Sequence, residues 1–354
     1  MEMDKLLTII IPSCNMEKYL PKCLGSLVVA QEMMDRLEVL VVNDGSKDRT
    51  SEIAHEFAAK WPGTFKVIDK TNGHYGSCIN AGLKTAMGAF VKVLDADDHF
   101  DTAALETHLR NLTALDGEGV DVVFTDYVLV HEDGHAGLRM ACGLPEDRTF
   151  DLTTVVARGT HQVMHSLTYR TENLRLNGYR QTEGMPYTDN EWALLPMRHM
   201  GKMAYRPLPL YQYLIGRAGQ SVSIEQSVKN IGNLEIILRH VVDAARRYAD
   251  QLSFVDYACL FGRHNAKLIY EIALFALPKR QGFGKVAEWE RTLKDEFPGC
   301  FAALETNSRP ICRGVTFRYV KCWRRHCFTK GLIVSFFRVL DDILLFYRKM
   351  RDRK

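Results

Sequence analysis

Over its first hundred residues the chain switches hydrophobic period repeatedly. Continuous apolar runs at 6–11, 37–42, 65–68 and 89–94 alternate with segments at 17–30, 51–61 and 77–87 whose apolar residues recur at helical spacing. A strand that is apolar at almost every position must be covered on both faces. That requirement points to a parallel sheet flanked by helices. A helix over 102–115 and a strand over 120–130 continue the alternation. The expectation is therefore an α/β fold, a Rossmann-like and mostly parallel sheet with flanking helices. The 354 residues leave room for a second, smaller domain. Residues 131–135 read as a turn and the stretch to about 160 as a loop-rich insertion. Residues 203–213 read as extended, with Pro207 and Pro209 restricting them to a sheet edge. From 224 onward Ile231, Leu234, Ile237, Leu238, Val241 and Val242 share one helical face, and a second helix is expected over 254–277. A smaller C-terminal helical region thus follows the sheet.

The run at 89–94 ends in Asp95-Ala96-Asp97-Asp98. In open α/β sheets ligands bind at the carboxyl ends of strands. Adjacent carboxylates placed there repel one another, so a cation between them is expected. Mg²⁺ or Mn²⁺ accepts a few carboxylates and fills its other positions with substrate oxygens. Acids after a strand also serve as helix N-caps, and Asp101 before Thr102 is placed for that. Two further strand ends are polar. The first leads through Pro12, Ser13, Cys14 and Asn15 to the segment containing Glu17. It makes a site for a base, ribose or phosphate, or an ordinary helix cap. The second runs Asn43-Asp44-Gly45-Ser46-Lys47-Asp48: Asp44 can accept from a base imide, and Ser46 or Asp48 can cap the next helix.

Taken in order, Ile9 to Asn15, Val41 to Thr50, Asn80-Ala81-Gly82-Leu83 and Leu94 to Asp98 resemble the family 2 glycosyltransferases of GT-A fold. The resemblance is close over 6–130 and looser to about 223. It implies a GT-A domain over 1–223, with a nucleotide-sugar half at 1–130 and an acceptor half at 131–223. A helical region over 224–330 and a tail over 331–354 follow. By resemblance, Pro12 and Asp44 lie against the base, while Ser13, Asn15, Glu17, Asn80 and Ala96 line the nucleotide site. Asp95 would sit near ribose and metal, and Asp97 would ligate the Mn²⁺ or Mg²⁺ that bridges the diphosphate. Cys14 replaces the tyrosine usual at its position. His74 and Tyr75 either face the donor sugar or pack their loop. Tyr187-Thr-Asp-Asn-Glu-Trp192 resembles the family's acceptor-side acidic element. It makes Asp189 the catalytic base, with Thr188 where Glu is common. An N-cap role for Asp189 is the alternative. On a helix Glu191 would point about 200° away from Asp189. Arg217 would bind phosphate, and His161, His165 and Arg170 either shape the acceptor pocket or serve structure.

The implied reaction is an inverting transfer from a nucleoside-diphosphate sugar, UDP being preferred on Asp44, with GDP and dTDP left open. The acceptor would be a hydroxyl of a saccharide or lipid-linked glycan in cell-surface polysaccharide synthesis. A sugar-phosphate nucleotidyltransferase is disfavoured, because residues 11–15 form no Gly-rich loop. A non-catalytic sugar-nucleotide-binding or membrane-surface scaffold is the competing reading, and intact Asp95, Asp97 and Asp189 argue against it.

Nine cysteines without a CxxC pair suggest reduced thiols in the cytoplasm. The N-terminus leads straight into a strand, and no apolar run has the roughly 18–20 residues of a membrane span. Residues 309–354 hold 13 Lys/Arg against 3 Asp/Glu, whereas the rest is mildly acidic. On a helix over 331–347 the polar Ser335, Arg338, Asp341 and Asp342 form a narrow stripe and the remainder is apolar. Such a segment suits the anionic inner face of the cell membrane better than nucleic acid. Packing against the body or in a homodimer is the alternative. Deleting 331–354 is expected to move the protein from the membrane pellet to the soluble fraction; an unchanged distribution in fractionated cells would favour the packed helix.

Overall fold

The structure, a computed structural model, describes residues 5–132, 137–216, 224–306, 309–310 and 316–326. The chain divides into two compact units between Gln220 and Ser221. Arg217 and the tail 331–354 lie outside the described residues, and the expectations placed on them with them.

In the first unit β1 (Leu7–Ser13) is followed by α1 (Leu20–Gly25) and α2 (Gln31–Met34). Then come β2 (Leu37–Asp44), α3 (Thr50–Lys60), β3 (Phe65–Lys70), α4 (His74–Thr85) and β4 (Phe90–Val93). β1 pairs in parallel with β2 on one side and β4 on the other, and β3 adds in parallel to β2. Every residue of β2 and of β4 is buried, so continuous apolar runs read correctly as two-faced strands. The registers Ser13 with Asn43 and Ile10 with Val93 bring three strand ends to one edge of the sheet.

The helix expected over 17–30 is shorter. Pro21 sits in the first turn of α1, where a missing N–H is tolerated. The amides before it are taken by the next loop: Met16 N–H donates to Thr50 Oγ1 at 2.7 Å and Glu17 N–H to Asp48 Oδ2 at 3.1 Å.

Further along are β5 (His99–Phe100), α5 (Thr102–Gly117), β6 (Val122–His131) and β7 (Leu138–Met140). They are followed by α6 (Leu152–Ala157), β8 (Leu167–Arg170), α7 (Thr171–Leu176), α8 (Asp189–Leu194) and β9 (Met203–Ile215). Asp101 caps α5, its Oδ1 accepting from Ala104 N–H at 2.8 Å. The four-residue β8 runs antiparallel between β4 and β6 and makes the sheet mixed. β9 is no simple edge. It pairs in parallel with β6 along its length, and the register slips around Asp126 where Pro207 and Pro209 fall. On the side away from β6 the described strands pair with β9 at Tyr211 and Gln212, so Pro207 and Pro209 lie on an edge stretch as expected, and the bulge in the β6 ladder also accommodates them. Beyond β9 lies only the two-residue β5.

The second unit holds α9 (Ile224–Lys229), α10 (Ile231–Arg247), α11 (Leu252–Phe275), α12 (Lys279–Glu296) and α13 (Pro298–Ala303). The expected face of α10, Ile231, Leu234, Ile237, Leu238, Val241 and Val242, is buried throughout. Among the described residues no helix is long and apolar enough to cross a membrane.

One packing detail carries into the site. α4 presses Gly76 onto the 181–182 segment so closely that a Cβ there would run into the Thr182 carbonyl. Gly76→Ala is expected to cost about 1–3 kcal/mol of stability, visible as a lower midpoint in denaturant unfolding; an unchanged midpoint would show that the 181–182 segment yields freely.

Candidate active site

At the shared strand edge the β1 and β2 ends are laced together. Asn15, at φ 55°, takes the left-handed conformation that Asn tolerates. Its N–H donates to Ser46 Oγ at 3.0 Å and its Oδ1 accepts from Lys47 N–H at 2.8 Å. Glu17 Oε2 accepts from Arg49 N–H at 3.0 Å. Asn15 and Glu17 therefore brace the two loops. Ser13 is buried, its hydroxyl donating to the Ile11 carbonyl at 3.3 Å. Pro12 is half-buried beside it. Asp44 is buried, and its Oδ1 accepts from Lys70 Nζ at 2.6 Å and from Gly73 N–H at 2.9 Å.

The third strand end carries the acids. Asp95 Oδ1 accepts from the Tyr75 hydroxyl at 2.9 Å. Tyr211, buried on β9, accepts from Asp95 N–H at 3.1 Å and donates to Asp98 Oδ2 at 2.7 Å. Asp98 Oδ1 accepts from Leu214 N–H at 2.7 Å. Burial, then the charges of Asp97 and Asp95, push the Asp98 carboxyl well above the usual carboxylate range against the pull of those two donors. Ala96 is buried between the acids.

Asp95, Asp98 and His165 each offer a ligand atom, all within 4.8 Å of one another. Asp97 belongs to the same charged cluster but not to this group of three. The sequence leaves His165 either shaping the acceptor pocket or serving structure. The short turn Met164–Ser166 before β8 brings it here. Its ring stacks on Tyr213 at 4.4 Å and meets Tyr211 edge-on at 4.6 Å. Burial first, then the Lys92 charge, push the imidazole down to about 3, so it is neutral and ligand-ready at ordinary pH. Its buried Nδ1 has no partner among the described residues. Two carboxylates and a neutral imidazole with an unpaired nitrogen fit a divalent cation such as Mn²⁺.

Asp189 arrives from nearly a hundred residues away in sequence. It is the first residue of α8, with Thr188 as the N-cap, so it is not itself the cap. Burial raises its carboxyl above the ordinary value, while hydrogen bonds from the helix start and Asn190 pull against it. α8 packs against the Met164–Ser166 turn that carries His165. Burial, then Asp95 and Asp189, push the Tyr75 hydroxyl well up. Burial and the charges of Asp98, Asp95, Asp97 and Asp189 raise that of Tyr213. Glu191 faces elsewhere, as helical geometry required: its carboxylate accepts from Thr182 N–H and Oγ1, each at 2.8 Å.

Asn80 holds Asp189 in place from a distance. Its Oδ1 accepts from Gln181 N–H at 2.9 Å and its Nδ2 donates to the Gln181 carbonyl at 2.9 Å. Gln181 Nε2 in turn donates to the Thr188 carbonyl at 2.9 Å and hydroxyl at 3.0 Å. A groove of about 570 Å³ beside α4 is lined by Asn80, Lys70, Lys84 and Arg180. Arg170 is not brought to the site. It pairs with Asp116 at 2.7 Å and covers the Phe90 ring.

Comparison with known proteins bears on the family and the fold. Residues 8–165 match the family described as glycosyl transferase family 2. An uncharacterized glycosyltransferase of Mycoplasma genitalium, MG025, is 41% identical over 97 residues, which are 27% of this chain and 32% of that protein. The minor teichoic acid biosynthesis protein GgaB of Bacillus subtilis is 32% identical over 103 residues, 29% of this chain and 11% of GgaB. The chain spans about a third of the length of several curated relatives it matches. In fold it is similar to S. aureus TarS 1–349 solved with UDP-GlcNAc: TM-score 0.60, 20% identity, covering 83% of this chain and 81% of that one.

Tyr211→Phe removes the hydroxyl that joins Asp95 and Asp98. It is expected to cost about 1–3 kcal/mol in stability, measured by denaturant unfolding; a variant as stable as the parent would mean that the bridge contributes nothing.

Proposed function

The chain belongs to glycosyl transferase family 2 through residues 8–165, and on that premise we propose that it is an inverting glycosyltransferase using a nucleoside-diphosphate sugar. UDP is the preferred carrier. The acceptor is a hydroxyl of a saccharide or lipid-linked glycan in cell-surface polysaccharide synthesis. The observation that carries this reading is that α8, which opens on Asp189, packs against the Met164–Ser166 turn whose His165 joins Asp95 and Asp98. A base beside a cation-ready cluster is what direct displacement at an anomeric carbon needs. The teichoic acid relative and the UDP-GlcNAc complex of the fold neighbour support the polymer and the carrier.

Pro12 borders the base, and Asp44, fixed by Lys70 and Gly73, accepts its imide N–H. Ser13 and Ala96, buried at two of the strand ends, would lie beneath the nucleotide, and Arg217, outside the described residues, would bind the diphosphate. Asp95, Asp98 and His165, with Asp97 beside them, would hold Mn²⁺ or Mg²⁺, which when bound neutralises charge on the departing diphosphate. Asp189 takes the proton of the acceptor hydroxyl as that oxygen attacks. Its raised carboxyl moves the base toward the operating pH, where proton transfer is most effective. No covalent sugar–enzyme species is needed, so the anomeric centre inverts once. The protein works at the inner face of the membrane, its tail on anionic lipid.

Asp189→Asn is expected to lower turnover of UDP-sugars by about 10²–10⁴-fold while UDP affinity in Mn²⁺ changes by no more than a few-fold. Because only the ionised base accepts a proton, parental activity should fall as pH drops through the raised carboxyl of Asp189. Full turnover by the Asn variant would remove Asp189 from the reaction.

A further inference from the structure

Lys92 is a fully buried lysine in the middle of β4, three residues before Asp95. Burial pushes its ammonium down to about 7. An apolar residue would fill such a core position without that penalty. Among the described residues no carboxylate pairs with it. Its Nζ instead donates to the His165 carbonyl at 2.8 Å and the Leu167 carbonyl at 3.1 Å. Those carbonyls lie on either side of Ser166, so one ammonium fastens the backbone of the turn at two points.

Within the turn Ser166 N–H and Oγ both return to the Val163 carbonyl, at 3.1 and 2.8 Å, and the Tyr75 hydroxyl lies 3.2 Å from Met164 Sδ. The turn is a single three-residue 3₁₀ turn whose strand, β8, begins only at Leu167. The His165 side chain is held separately: the rings of Tyr213, Tyr211 and Tyr127 surround the imidazole at 4.4, 4.6 and 5.3 Å. The rings set the plane of the imidazole, but only the backbone sets its distance from the acids of β4. The β4–β8 ladder pairs Phe90 with Arg170 and Val91 with Tyr169, and Lys92 extends that tie from β4 to the carbonyls of His165 and Leu167.

We propose that Lys92 is a positioning residue, which holds the Met164–Ser166 turn against β4 so that His165 reaches the ligand group with Asp95 and Asp98. This rests on the reading of that group as the cation site of a glycosyltransferase. The mechanism is hydrogen bonding to two carbonyls, with no contact between Lys92 and cation or substrate.

The test is a double-mutant cycle on the full chain, with Mn²⁺ affinity in the presence of UDP read from the free-Mn²⁺ electron paramagnetic resonance signal. Lys92→Met should weaken Mn²⁺ by about 10–100-fold, as loss of a ligand's supporting partner usually does, and His165→Ala at least as much. In the double variant the Lys92 change should add nothing, because there is no imidazole left to position. Lys92→Gln keeps a donor and should recover part of the affinity; it also serves if the Met variant fails to fold. Parental Mn²⁺ affinity in Lys92→Met, fully additive losses in the double variant, or a Gln variant no better than Met would each overturn the proposal. If the parent protein binds no Mn²⁺ with UDP, the cation-site reading itself falls and takes this inference with it. Parental binding combined with any of the three adverse results would sink the Lys92 role alone.

Discussion

Asp98 is a carboxylate buried beside two others and hydrogen-bonded by a tyrosine hydroxyl and a backbone amide, both neutral donors. Neutral donors lower the cost of burying a charge without cancelling repulsion from Asp95 and Asp97, and the upward push on Asp98 expresses the remainder. The rest of the site is arranged around that imbalance. The parallel pairing of β1 with β2 and β4 delivers the acids, Asp44 and the Pro12 loop to one rim. β9 contributes Tyr211 and Leu214 to hold the acids in place, and the turn before β8 contributes the imidazole. In the proposed reading a divalent cation would supply the missing positive charge. In such a site substrate phosphate and protein carboxylate become ligands of one ion instead of repelling charges.

Asp189, the proposed base, is positioned by a separate set of contacts. α4 grips the 181–182 segment through Gly76 and Asn80, and Gln181 passes that grip to Thr188, the residue before Asp189. Glu191, two residues on, anchors the same helix start to Thr182. Through Gly76 and Asn80 of α4, the segment before Asp189 is thus joined to the sheet that carries the acids. Lys92 links β4 with the His165 turn in a comparable way, so that both distant contributions to the site are tied to elements of the first hundred residues.

Which parts could be read in the sequence follows from how each is encoded. Strands buried on both faces announce themselves as unbroken apolar runs, so β1, β2 and β4 were legible, as was the rim where they end. α10 was legible because its apolar face is continuous. β8 was not: four residues, Leu167 to Arg170, are too few to establish a period, and its place between β4 and β6 comes from long-range pairing. For the same reason the entry of His165 into the acid cluster had no local signal beyond a histidine in a loop-rich stretch. Pro207 and Pro209 suggested an edge, since a proline cannot complete a regular ladder; the bulge that accommodates them depends on a partner strand some eighty residues earlier. Asn15 offers itself to a ligand or as a helix cap and Glu17 to a ligand; that their side chains also brace the neighbouring loop is something only the tertiary fold reveals.

The central claim is that these acids hold a metal against a nucleotide diphosphate. Anomalous diffraction from crystals grown with Mn²⁺ and UDP tests it most directly. The account predicts one manganese peak within coordinating distance of carboxylate oxygens of Asp95 and Asp98, touching the diphosphate. UDP bound at the strand rim with no manganese beside those carboxylates would contradict it.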